Sequence, residues 1–157
     1  MKRHATMAMG MLSVWVACIV TPEAWGQESS GVEVRIGAVV ASNAGQAFDQ
    51  RLASLRRQFN SLFPYTSYRL IKEERRTVLW GRKAGFDLPG GHYLLVIPRG
   101  CKDNRVSMKL ILVEGSRPLF DTVVGLRNQG TFLVGGPRHQ EGRLIIAIAA
   151  ETNAAPK

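Results

Sequence analysis

Cysteine and histidine are scarce in this chain of 157 residues: it has two cysteines, Cys18 and Cys101, and three histidines, His4, His92 and His139. Cys18 lies in an N-terminal segment expected to be removed, so Cys101 has no partner within its own chain. The expected fold therefore stands without an internal disulfide. Cys101 reads as an unpaired thiol near a turn, with an intermolecular bridge or a reactive thiol as the alternative. The two later histidines each follow a glycine pair, Gly90-Gly91 and Gly135-Gly136. If those loops met, His92 and His139 with Cys101 or Asp87 would offer metal ligands. Yet the chain has no HExxH, no paired CxxC and no two ligands at helical spacing. It also lacks a GxSxG, and hydrolase chemistry needs a positioned nucleophile, base and acid. No catalytic residue, cofactor or metal is expected, and the enzyme reading, a small hydrolase or metal-dependent enzyme using His92 or His139, is the weakest one.

A long hydrophobic run is missing too. The apolar stretch from Met7 to Val20 covers 14 residues, short of the ~20 that span a bilayer as a helix. Lys2 and Arg3 precede it, and Ala24-Trp25-Gly26 follows with small residues at both ends. These are the basic, apolar and cleavage regions of a secretory signal peptide, with the cut expected before Gln27. Residues 1–26 are thus assigned to the signal, leaving no spanning helix, and the product is periplasmic or secreted. An uncleaved N-terminal anchor and a lipoprotein site at Cys18 are the alternatives; Trp15 fits the second poorly.

Acidic residues are few. Against 21 Lys and Arg stand 12 Asp and Glu, a formal charge of +9 that becomes +8 once Lys2, Arg3 and Glu23 are removed. In an exported chain the available anions are not nucleic acid but lipid headgroups, acidic glycans and acidic protein surfaces, which such a charge attracts over long range. Seven residues are candidates for a basic, anion-facing surface: Arg51, Arg56, Arg57, Arg75, Arg76, Arg82 and Lys83.

What is present is one amphipathic stretch and a series of short strands. From Ser42 to Phe63, Phe48, Leu52, Leu55, Phe59 and Leu62 recur at spacings of four and three. At about 100° per residue they fall in a stripe roughly 80° wide, with Arg57 opposite. Ser42 or Asn43 would cap this helix with Gln46 as capping-box partner, and Pro64 would stop it. Strands are expected at Val32–Val40, across Tyr65–Trp80, at Phe86–Leu88, at His92–Ile97 closed by Pro98, from Val106 to Val113, at Leu119–Arg127, at Thr131–Val134 and at Leu144–Ala149. Between them, Arg99–Arg105 (RGCKDNR) and Gly135–Arg143 read as loops. Val134-Gly135-Gly136-Pro137-Arg138 is not an anion cradle, because Pro137 removes a donor and a strand follows. Strands apolar on both faces, around Leu94–Ile97 and Leu144–Ala149, should be central.

The order implies an α+β domain over residues 32–151, between a flexible start at 27–31 and a loose tail at 152–157. One amphipathic helix would pack on a mostly antiparallel sheet of about six to eight strands. The far sheet face would be curled into a partial barrel or sandwich, or covered by a partner.

The segment Thr122…Thr131-Phe-Leu-Val-Gly-Gly-Pro…Leu144-Ile-Ile-Ala-Ile resembles strand-turn-strand segments of outer-membrane secretins. The chain's length, its early helix and its short strand series depart from that family, so no residue role is carried over. The leading expectation is a non-enzymatic protein-interaction or accessory component of the cell envelope, with a binder of anionic lipid or glycan second.

Overall fold

In the computed structural model, which describes residues 31–153, eight strands form two four-stranded antiparallel sheets, with one short helical segment. The first sheet has the order β2-β1-β8-β7 and the second β3-β4-β5-β6. Chain order runs from the first sheet (β1, Gly31–Ser42; β2, Ser67–Leu79) into a meander that makes the second. That meander comprises β3 (Ala84–Leu88), β4 (His92–Lys102), β5 (Arg105–Glu114) and β6 (Arg117–Arg127). The chain then returns for β7 (Thr131–His139) and β8 (Gly142–Glu151). The two strands expected to be central are central: β4 lies between β3 and β5, and β8 between β1 and β7.

Alternation along β1 assigns its two faces. Val32, Val34, Ile36 and Ala38 join Leu144, Ile146 and Ile148 of β8 in a core shared with Phe86, Leu94, Val96, Met108, Leu110 and Leu112 of the second sheet. Val39 and Ala41 of β1 point the other way, joining Ile145, Ala147, Leu133, Tyr68 and Leu70 beneath Leu52 and Phe59 of the helical segment. The order of layers is helix, first sheet, second sheet. The sheets pack face to face and do not close into a barrel, and with only 13 helical residues among those described this is chiefly a sheet fold.

The helix is the main correction to the sequence reading. It starts at Gln50, not Ser42, as a 3-10 turn over Gln50–Leu55 that continues as an α-helix over Arg56–Leu62. Residues 42–49 direct their backbone groups at the start of β2 instead. Tyr68 N–H donates to Ala47 O (2.8 Å), Asp49 N–H to Tyr68 O (3.0 Å) and Thr66 N–H to Ser42 O (3.2 Å). Phe48 sits in an isolated bridge to Tyr68, so its place in the stripe is real but not helical. The cap is Asp49, whose carboxylate accepts from Arg51 N–H. Leu62, placed on the buried stripe by its spacing, is 54% exposed. Pro64 does stop the helix: Phe63 before it is extended (φ −131°, ψ 135°). With Leu52 and Phe59 the two fully buried side chains of the segment, the cover contributes at most about 3–6 kcal/mol.

A bulge in β2 decides what its charged run touches. Ala38 pairs with Lys72 and Val39 with Leu70, which leaves Ile71 as the extra residue. One inserted residue inverts the facing of everything beyond it. Tyr68 and Leu70 therefore face the helix, while Lys72 and Arg76 reach the edge of β3, donating to Asp87 O (2.6 Å) and Gly85 O (3.1 Å). The charged run Lys72–Arg76 lies on an edge strand, and it covers carbonyls of a second edge.

Three expected boundaries also move. Pro98 does not close β4, which continues through a bulge between Pro98 and Gly100. Pro98 O accepts from Gly81 N–H (2.7 Å), on the side where β3 has already ended, so its missing N–H costs no ladder bond. The RGCKDNR segment is not a loop: only Asp103 and Asn104 turn, both with positive φ (51° and 58°), the signature of a two-residue type I′ hairpin. Likewise β7 runs through Gly135-Gly136-Pro137 with a bulge, leaving Gln140 and Glu141 as the turn. Thr152, expected in the loose tail, is buried. Its N–H donates to Asn128 Oδ1 (2.9 Å), and its carbonyl accepts from Asn128 Nδ2 (2.9 Å). The signal segment, Cys18 and residues 27–30 and 154–157 lie outside the described residues, among which no helix is long and apolar enough to cross a membrane.

Candidate functional site

The seven candidate basic residues do not converge, and most are already engaged. Arg51 donates to both Asp49 oxygens (3.0 and 2.7 Å) and to Leu70 O (2.7 Å). These hydrogen bonds hold the Asp49 carboxyl far below the usual carboxylate range and raise the Arg51 guanidinium. Arg56 stacks over the Phe48 ring at 4.2 Å. Arg75 pairs with Glu33 (3.3 Å) on the helix side of the first sheet. Arg76, one residue on, faces the other way, pairs with Glu74 and lies over Phe86 at 5.0 Å. Arg57, Arg82 and Lys83 are exposed, the last two after the turn at Trp80-Gly81.

The two histidine loops do meet. A Cβ added at Gly90 would lie 3.1 Å from Nδ1 of both His92 and His139. His92, however, is 4% exposed and held: its Nδ1 donates to Pro89 O (2.9 Å) and its Nε2 stands 3.2 Å from Glu114 Oε1. The envisaged ligands do not join it. Cys101 is at the opposite end of β4, and Asp87 pairs with Tyr93 on the other face of the sheet. Among the described residues no three His, Cys, Asp or Glu side chains are placed to hold a metal. A depression of about 690 Å³ lies beside the 43–49 segment; its carboxylates are Asp49, already bound to Arg51 and Leu70 N–H, and Glu141 on an exposed turn.

The surface left open is the outer face of the second sheet. Tyr93 pairs with Val113, Leu95 with Ile111, and Ile97 with Lys109, which in turn pairs with Val123. Tyr93 (38%) and Val123 (54%) are exposed, and Leu95, Ile97, Ile111 and Val113 are half-buried. Tyr93 has room to lie flat because Gly85 has no side chain; a Cβ there would overlap the phenol ring. Within this apolar band Lys109 is tied to Asp121 (3.2 Å) on the neighbouring strand, so its charge is matched locally. The sequence carried part of this signal in Leu94–Ile97, Ile111 and Val113, which are apolar on both strand faces. Tyr93 and Val123 were not singled out, because strand alternation alone does not say which face is covered. The chain matches no family model and no curated protein.

Proposed function

We propose that this chain is a small exported, non-enzymatic domain that acts by holding a protein partner in the cell envelope. The observation that carries this reading is the apolar outer face of the second sheet. Six aliphatic and aromatic side chains over β4, β5 and β6 lie there under no other element of the described fold, and a contiguous apolar surface of this kind favours association. The inner layers are complete without it, so the face can be given to another molecule at no cost to the core. The hydrolase alternative has less to work with, since the buried His92 is committed to Pro89 and Glu114.

A photo-crosslinking side chain at Tyr93, with one at Arg57 as the control, tests the reading in intact cells. The expected result is a discrete protein adduct from position 93 that disappears when Val123→Glu is added. Identical labelling from both positions, or a purified mature protein that is a stable monomer and crosslinks to nothing in envelope extracts, would defeat it.

A further inference from the structure

We propose that the far end of that same sheet, at the β4–β5 hairpin, is a binding site for a phosphate-type oxyanion. The tight turn at Asp103-Asn104 sets Lys102 directly opposite Arg105, and Arg105 is in register with Arg127 of β6. One row across three strands therefore carries three cations. The next row inward on the same face is Gly100, Ser107 and Gly125, three small residues also in register. Tall charged side chains beside a row of small ones make a hollow, and a depression of about 430 Å³ is found there, lined by Arg99, Lys102, Arg105, the three small residues and Cys101. Arg99 is the extra residue of the β4 bulge, so the irregularity at Pro98 is what brings it to the rim beside Lys102 and Arg105, with Arg127 in register just beyond.

The charge is uncompensated. Among the described residues none of Arg99, Lys102, Arg105 and Arg127 has an ion pair, in contrast to Arg51, Arg75, Arg76 and Lys109. The adjacent carboxylates do not neutralise them: Asp103 makes no ion pair, and Asp121 is held by Lys109. Like charges gathered across one row repel, and an anion between them relieves that repulsion. Guanidinium groups bind tetrahedral oxyanions in bidentate fashion, and the half-buried Ser107 adds a neutral donor at the floor. The ligand class is a phosphate group, carried by an anionic phospholipid or by a soluble molecule. This site does not depend on the partner reading, and either can fail alone.

The test uses purified mature protein with two probes: inorganic phosphate, followed by backbone amide shifts at constant ionic strength, and vesicles of phosphatidylglycerol in phosphatidylcholine, followed by cosedimentation. Three variants accompany it. Lys102→Glu with Arg105→Glu reverses the rim. Gly125→Leu fills the hollow at a position where the first added atom, the Cβ, would meet nothing within 4 Å, and its thermal melt is compared with the parent's to show that folding is kept. Arg82→Glu with Lys83→Glu makes the same change in net charge elsewhere. Shifts centred on residues 99–107 and 125, weakened at least tenfold by the first two variants and not by the third, support the site. Phosphate shifts without vesicle binding assign a soluble ligand, and vesicle binding lost with the same two variants and with added salt assigns a lipid headgroup. Binding by neither probe, or equal weakening by all three variants, overturns the proposal.

Discussion

Replacing Phe59 by alanine should separate a packed cover from a merely amphipathic one. Phe59 is fully buried, with ring centroids 4.9 Å from Tyr68, 6.1 Å from Phe48 and 6.3 Å from Phe63. Its removal takes away the member common to those three ring contacts and opens a cavity over the first sheet. Truncations of this kind cost about 3–5 kcal/mol, out of the 5–15 kcal/mol that typically holds a small domain together. One side-chain hydrogen bond partly restrains the loss, since Tyr68 Oη donates to Phe63 O (3.0 Å) and keeps the helix end near the sheet. Leu62, three residues on, was on the same stripe by spacing but is largely exposed, so Leu62→Ala should cost no more than about 0.5 kcal/mol. Urea denaturation followed by circular dichroism measures both. A drop in midpoint for Phe59→Ala with Leu62→Ala close to the parent is the expected pattern. Equal losses would mean that Leu62 is buried as deeply as Phe59, and the helix would then face the sheet differently from the arrangement found.

Asp49→Asn keeps a capping oxygen but removes the charge that Arg51 and the Leu70 N–H bind. Because the Asp49 carboxyl is held below its ordinary value of 3.8, its contribution to stability is complete above that value and is lost as the pH falls through the strongly acid range. The midpoint difference between parent and variant should therefore be widest near neutral pH and should narrow on acidification; a difference that grows on acidification would contradict the assignment. Gly142→Ala places a Cβ 2.3 Å from the Ala41 carbonyl oxygen, a backbone atom that cannot swing aside, and should cost about 1–3 kcal/mol. Gly125→Ala, whose Cβ meets nothing within 4 Å, is the neutral control in the same thermal melts.

Much of the sheet was legible because strand alternation is a local property. Val32 to Ala38 and Val106 to Leu112 announce their faces by period alone, and the two-sided apolar character of Leu94–Ile97 and Leu144–Ala149 placed β4 and β8 in sheet centres. Turn chemistry announced the stop at Pro64 for the same reason. Local pattern failed where a distant segment competed for the backbone. The stripe from Phe48 to Leu62 has helical spacing, yet residues 42–49 satisfy their N–H and C=O groups on β2, and no window of sequence contains both partners. Bulges were equally invisible: Ile71 and Arg99 look like any strand residue, but each inverts or displaces its neighbours. Thus the bulge at Ile71 decides that Arg76, and not Arg75, faces the second sheet, while Arg99, Lys102, Arg105 and Arg127, read as loop or strand-end charges, come together on one surface. The sequence by itself determined that the chain is basic, strand-rich and free of an internal disulfide in its expected mature form. Only the tertiary structure decided which sheet face lies open and where the cations gather, because register and facing depend on pairings between residues far apart in the chain.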